Sequence, residues 1–178
     1  MVDITRAINI PGSMSPEELR WLAEQASIRN LVIEIGPDQG RSTRALADNT
    51  RGTVYAVDLW EDFTIEDASG LYSRTEYTGK RFELFRQNMA RCNNLVPMRM
   101  TSLEASRRLH DVRFDMIFID ASHDYESVKE DILAWQPLLQ EGGLFCGHDY
   151  TTKPGVKRAV DELIPNFQLT AGCIWRAW

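Results

Sequence analysis

Leu31-Val-Ile-Glu-Ile-Gly-Pro-Asp-Gln-Gly-Arg-Ser-Thr43 is the stretch that decides the fold. The apolar run Leu31 to Ile35, broken only by Glu34, predicts a buried parallel strand. Gly36 and Gly40 then let backbone approach a ligand without a Cβ in the way. Ser42 and Thr43 fall in the first turn of a following helix, where free N–H groups point outward. The spacing departs from the dinucleotide fingerprint G-x-G-x-x-G, because Asp38 and Arg41 stand where its later glycines belong. A carboxylate at Glu34 repels a pyrophosphate and suits a ligand carrying an ammonium group. The turn therefore predicts a cationic nucleoside rather than NAD.

Outward from this turn, strand and helix signals alternate, the pattern of a parallel sheet with crossover helices. Ser15-Pro-Glu-Glu18 reads as a capping box with Pro at the first helical position, and Leu19, Leu22, Ala23 and Ala26 form its apolar stripe. After the glycine turn a helix runs to about Ala47, and Thr53 to Asp58 is the second strand. Phe82, Phe85 and Met89 recur at helical spacing and read as core contacts. Leu95 to Met100 is the third strand, Leu103 to Leu109 a short helix, and Phe114 to Asp120 the fourth strand. Tyr125 to Leu139 is a helix closed by Glu141-Gly-Gly143, and Leu144 to Asp149 the fifth strand. A helix near Val156–Leu163 precedes strands around Phe167–Leu169 and Cys173–Trp178, which Ala171-Gly172 joins as an antiparallel edge hairpin. The expected fold is α/β: Rossmann-like, doubly wound and mostly parallel, with that hairpin at its edge. It forms a single domain over residues 1–178, with residues 1–30 as an N-terminal helical segment.

Composition narrows the classes. The chain has 178 residues, a formal net charge of −6 and an even spread of charge, which argues against a phosphate-backbone partner. No apolar run reaches the roughly 20 residues of a membrane span, and the start lacks an export signal. Cys92, Cys146 and Cys173 are scattered and odd in number; they are expected to be reduced thiols of a cytoplasmic protein.

In an open parallel sheet, ligands bind beyond the carboxyl ends of the strands. Here those ends carry Glu34, Asp58, Asp120 and Asp149 in turn. One such acid can be a mere helix cap; a whole row on one edge points to a site. Asp58 stands where an acid commonly holds a ribose diol, and Leu59 and Trp60 behind it either cover a base or belong to the core.

Glu34-x-Gly-x-x-x-Gly, Asp58 and Phe114-Asp-x-Ile-Phe-Ile-Asp120 together resemble the class I S-adenosylmethionine-dependent methyltransferases over roughly residues 30 to 160. The resemblance implies donor contacts from Glu34, Gly36, Gly40, Ser42, Asp58, Leu59, Ser102 and Asp120. Ile119-Asp-Ala-Ser-His-Asp-Tyr-Glu-Ser127 and Gly142-Gly-Leu-Phe-Cys-Gly-His-Asp-Tyr150 are similar to the metal-dependent O-methyltransferases. The likeness is closest to the macrocin O-methyltransferase type and more distant to catechol O-methyltransferase. Pro154-Gly-Val-Lys-Arg-Ala-Val-Asp161 resembles the segment after the metal site in the sugar methyltransferases. By that resemblance Asp120, His148 and Asp149 hold a divalent ion. His148 replaces an acidic or amide member, which favours Zn²⁺, Mn²⁺ or Fe²⁺ over Mg²⁺.

The implied reaction is methylation of a small-molecule hydroxyl on a sugar or other diol. His123, whose side-chain type titrates at about pH 6.5 when unperturbed, is either the base or, with Asp124, a cap for the helix at Tyr125. Residues 60–78 form either an acceptor-side lid or a plain surface loop, and exposed aromatics there suit a homo-oligomer surface. Rival readings are a metal-independent methyltransferase, a non-catalytic S-adenosylmethionine-binding module, and a nicotinamide dehydrogenase, which Glu34 and the glycine spacing disfavour.

Overall fold

The computed structural model describes residues 1–61, 64–65, 72–73 and 80–177, the two short pairs by backbone alone. In chain order the elements are α1 (Pro16–Ala26), β1 (Leu31–Ile35), α2 (Arg41–Asn49), β2 (Thr53–Asp58), β3 (Thr64–Ile65), β4 (Tyr72–Ser73) and α3 (Arg81–Asn88). They continue with β5 (Leu95–Arg99), α4 (Ser102–Arg108), β6 (Phe114–Ile119), α5 (Tyr125–Trp135), β7 (Leu139–Gly147), α6 (Pro154–Leu163), β8 (Gln168–Leu169) and β9 (Trp175–Ala177).

Seven of these strands form one sheet in the order β5-β2-β1-β6-β7-β9-β8, and β3 pairs with β4 separately. The first five run parallel, while β9 lies antiparallel to both β7 and β8. The winding reverses between β1 and β6, so the crevice beyond their carboxyl ends is the place such a sheet offers a ligand. The expected doubly wound fold with its antiparallel edge is what the chain adopts.

Side-chain alternation along the strands explains the layers. Ile33, Ile117 and Phe145 face one side, where Ile132 and Trp135 of α5 and Val160 of α6 cover them. Val32, Met116, Phe118 and Leu144 face the other, under Leu19 and Leu22 of α1 and Leu46 of α2. Phe85 and Met89 are 1% and 5% exposed, packed with Trp60 in a third cluster, as their helical spacing predicted. The Asp115 side chain accepts from Asn30 N at 2.7 Å and Leu31 N at 2.9 Å, anchoring the start of β1 to β6.

Two local expectations need correction. Glu141-Gly-Gly143 does not close a helix; it lies inside β7, where the register against β6 shifts between Phe114 and Met116. A bulge accommodates the extra residues and Gly142 takes a positive φ. The edge turn is also displaced by one residue. Ile174 N bonds Ala171 O at 3.0 Å, so Gly172 and Cys173 are its central pair. No helix among the described residues is long and apolar enough to cross a membrane.

Candidate active site

Three backbone bonds line up the carboxyl edge. Gly36 N reaches Val57 O at 2.9 Å, Asp120 N reaches Ile35 O at 2.8 Å, and His148 N reaches Ile119 O at 3.0 Å. The parallel ladders thus continue one residue past β1, β6 and β7 and fix Gly36, Asp120 and His148 side by side. Gly36 sits at φ +90°, and a Cβ there would run into the Asp120 carbonyl. Only glycine lets the turn pass so close to the end of β6.

The turn itself is held from below. Asp58 Oδ2 accepts from Asp38 N at 3.2 Å and Oδ1 from Trp60 N at 2.8 Å. Trp60 Nε1 donates to Asp38 O at 2.7 Å, and Arg81 pairs with the Asp38 carboxylate at 2.8 Å. Burial raises the pKa of Asp58 even against the two amides that favour its charge. Of the two readings open for Trp60, the structure selects core: it is 2% exposed, with Phe85 4.6 Å and Phe82 4.8 Å away between ring centroids. Asp38, Trp60 and Asp149 all carry positive φ without being glycine. Backbone strain of this kind gathers at sites where the surroundings over-determine it.

A cleft of about 440 Å³ opens above the turn, walled by Pro11–Met14 on one side and by Gly36–Gln39, Arg41, Ser42 and Asp120 on the other. The N-terminal wall is strapped down by Arg41. Its Nε donates to Met14 O at 2.9 Å and its Nη1 to the carbonyls of Ile8 and Ile10. Sequence reading missed both the wall and the strap. The Pro11-Gly12 pair signals a turn, but nothing local says that it folds across a loop some 30 positions on.

Glu34 does not line this cleft. It is fully buried beneath α2, where Thr43 Oγ1 donates to its Oε2 at 2.5 Å and its Oε1 has no partner. Burial raises its pKa to about 7, opposed by the hydroxyls of Ser42 and Thr43. The sign of the consequence is fixed. An acid whose folded pKa lies above its unfolded value contributes full stability below the unfolded pKa of 4.5 and loses it as pH rises through about 7. Relative to Glu34→Gln, the wild-type protein without ligand is expected to lose about 3 kcal/mol across that window. Urea denaturation at a series of pH values measures it, and parallel pH curves for the two proteins would contradict it.

Beyond β6 and β7 lies a second, much smaller cavity of about 10 Å³, lined by Asp120, His123, His148 and Asp149 with Val128, Val156 and Trp175 among its apolar walls. That is room for about one water-sized sphere. Asp120 belongs to both cavities. His123 Nε2 lies 2.8 Å from Asp149 Oδ2, with the ring 37% exposed. His148 is 7% exposed; its Nε2 lies 3.0 Å from Glu18 Oε1, and its Nδ1 lies 3.6 Å from both Asp120 Oδ1 and Asp149 Oδ2. Burial lowers the pKa of His148, but the two carboxylates more than reverse this and raise it to about 11. Burial likewise works against ionised Asp149, and His123, His148 and Thr152 overcome it, leaving its pKa lowered.

Of the two roles open for His123, capping belongs to its neighbour: Asp124 Oδ1 accepts from Ser127 N at 3.0 Å. The backbone of His123 is pinned instead by Gly155, where a Cβ would lie 2.7 Å from Tyr125 N and against the His123 carbonyl. The hydroxyl of Ser102 is not turned to the cleft. It donates to Asp131 and accepts from Trp135 Nε1 at 2.8 Å, tying α4 to α5. Gly40 caps α2 behind the turn, where a Cβ would meet Met89 and Phe85; Leu59 is 40% exposed, and neither it nor Asp58 is among the residues lining the cleft. The expected acceptor-side segment 60–78 falls largely outside the described residues.

The small cavity can be tested against the ion that the resemblance implies. With bonds of about 2.0–2.2 Å, two ligands of one ion at 90–110° lie about 2.8–3.6 Å apart. The 3.6 Å spacings around His148 Nδ1 fall at the end of that range and are too long for hydrogen bonds. Asp120, His123 and Asp149 also bring ligand atoms within 4.8 Å of one another. The donors present fit a divalent cation with mixed oxygen and nitrogen ligands.

Comparison with known proteins adds a family. A family model described as a methyltransferase domain matches residues 33–150, more than half of the chain. Among curated proteins the sequence finds no match. Among solved structures, an O-methyltransferase from Bacillus cereus in complex with SAH shares the fold at a TM-score of 0.68 and 20% identity, over 96% of this chain and 84% of that one. Fibrillarin from Aeropyrum pernix with natively bound S-adenosyl-L-methionine aligns at 0.61 and 14%, over 86% of this chain and 68% of its own. The calicheamicin methyltransferase aligns at 0.64 and 15%, over 89% and 76%. The chain belongs to the methyltransferase-domain family, and the enzyme class expected from its sequence, an S-adenosylmethionine-dependent methyltransferase, is borne out.

Proposed function

We propose that the protein transfers the methyl group of S-adenosylmethionine to a hydroxyl oxygen of a small molecule, with a divalent cation held by Asp120, His148 and Asp149. The observation that carries this reading is Asp120, which lines both the donor cleft and the cavity that contains His123. A donor in the first and an acceptor at the second meet there, as an in-line displacement requires. Gly36 and Ser42, which line the cleft, are assigned to the methionine side of the donor, Asp58, which braces the cleft wall at Asp38, and Leu59 to its ribose and base, and Glu34 holds the Thr43 hydroxyl beneath.

The cation, when bound, lowers the pKa of a coordinated acceptor hydroxyl. His123 takes the proton, since it is the exposed histidine of the pair and Asp149 orients its ring. The likeness to macrocin-type enzymes supports a sugar or other diol as acceptor, and the chain's acidity speaks against nucleic acid.

Calorimetry with S-adenosylmethionine tests the donor half. Asp58→Ala is expected to weaken binding about tenfold or more, through lost diol contacts and a loosened turn, at 1.4 kcal/mol per decade. Equal affinity in the two proteins would defeat the donor assignment. A metal-independent transfer has one observation in its favour: the His148 ring lies among the carboxylates of Glu18, Asp120 and Asp149, which favour its protonated form. Undiminished turnover after exhaustive chelation would decide for it.

A further inference from the structure

We propose that Glu18, in the first turn of α1, is a positioning residue that sets His148 as the nitrogen ligand of a divalent cation shared with Asp120 and Asp149. The proposal rests on the metal-assisted reading and says which distant group makes that site possible. With Nε2–H of His148 donating to Glu18 Oε1 at 3.0 Å, Nδ1 is left facing Asp120 and Asp149. Metal-bound histidines commonly donate their second ring N–H to a carboxylate, which fixes both tautomer and ring plane.

Glu18 is built to hold still. Its Oε1 also accepts from Cys173 N at 2.9 Å, and its Oε2 accepts from Ser15 N at 2.7 Å. One carboxylate therefore joins the start of α1, the edge turn before β9 and the residue after β7. A capping box alone does not require this. The same motif at Thr101 and Glu104 leaves its acid exposed, whereas Glu18 is 4% exposed and reaches a histidine 130 positions away. An imidazole among oxygen ligands also shifts preference from Mg²⁺ toward Mn²⁺, Fe²⁺ or Zn²⁺.

Mn²⁺ binding to the full-length protein, followed by the electron paramagnetic resonance of the free ion, tests this without donor, acceptor or turnover. One Mn²⁺ per chain is expected. Glu18→Gln, which keeps the capping pattern, should weaken it about tenfold or more. His148→Asn should weaken it too, and Glu18→Gln added to His148→Asn should cost nothing further. An equal loss from Glu18→Gln in both backgrounds would make Glu18 a structural prop and overturn the proposal, as would unchanged affinity in the single variant. A wild-type affinity that Asp120→Asn leaves intact would instead remove the metal reading, and this proposal with it. A check that needs no Glu18 variant is electron-spin-echo spectroscopy of the bound Mn²⁺. A nitrogen coupling that disappears in His148→Asn supports the assignment; no coupling, or one that survives, overturns it.

Discussion

Gly36→Ala is expected to abolish measurable donor binding and to destabilise the protein by about 3 kcal/mol or more. Two costs add. At φ +90° an L-residue is strained wherever it has room. Here it has none, because the new Cβ would lie 2.6 Å from Ala121 Cα and closer still to the Asp120 carbonyl. Both obstacles are backbone, so no side chain can swing aside. Asp120 is tied to Ile35 at 2.8 Å and Gly36 to Val57 at 2.9 Å, so relief means prying β1 from β6 at their carboxyl ends. The donor cleft and the histidine cavity share Asp120 at that seam. Urea unfolding read by tryptophan fluorescence gives the stability loss, and calorimetry with S-adenosylmethionine gives the binding. An alanine variant that folds and binds as the wild-type protein does would mean that β6 does not end against the turn.

Legibility in the sequence followed the range of the interactions. Strand, turn and helix around Gly36 were readable because periodicity, glycine spacing and a helix start are local properties. The row Glu34, Asp58, Asp120 and Asp149 was readable because each acid ends an apolar run, and parallel strands place their ends on one edge. What the acids do there was not readable. Glu34 looks from its position like a residue lining the donor cleft, yet the helix that follows it covers it completely. Ser102 follows a strand as a contact residue would, but the indole of Trp135 and the carboxylate of Asp131 claim its hydroxyl. Both outcomes depend on packing between separate elements. The Arg41 strap spans 27 positions to Met14, and the Glu18–His148 pair spans 130. No local pattern encodes either pairing. Glu18 was assigned to the capping box correctly and incompletely.

One edge tolerates so much acid in three ways. Burial favours the protonated form of Glu34, pushing its pKa up to about 7. Asp58 gives both oxygens to backbone amides, which oppose the burial that raises its pKa. Asp120 and Asp149 face a buried imidazole that a third acid, Glu18, holds from behind. The three solutions divide the edge in function as well. A buried acid under the turn serves as a scaffold, whereas the acids around His148 form the part of the site able to receive a cation.

His123→Ala is expected to lower kcat by about 10²–10⁴-fold, or about 3–5 kcal/mol of barrier. Donor affinity should be nearly unchanged. Two histidines adjoin the small cavity, and exposure separates their roles. His148 is 7% exposed, its Nε2 is taken by Glu18 and its Nδ1 faces Asp120 and Asp149, so it is poorly placed to meet an acceptor's proton. The His123 ring is 37% exposed, with one nitrogen 2.8 Å from Asp149 and the other free for a substrate proton. Its backbone cannot drift, because the start of α6 packs against it at Gly155. This is the arrangement of a general base: one nitrogen oriented by a carboxylate, one nitrogen available. Three measurements separate a base from a metal ligand or a structural residue. In His123→Ala, Mn²⁺ affinity should match the wild-type value, the unfolding midpoint should stay close, and added imidazole should restore part of the turnover. Loss of Mn²⁺ binding with no rescue would move His123 into the cation's ligand set, alongside Asp120 and Asp149, with which its ligand atoms already cluster within 4.8 Å.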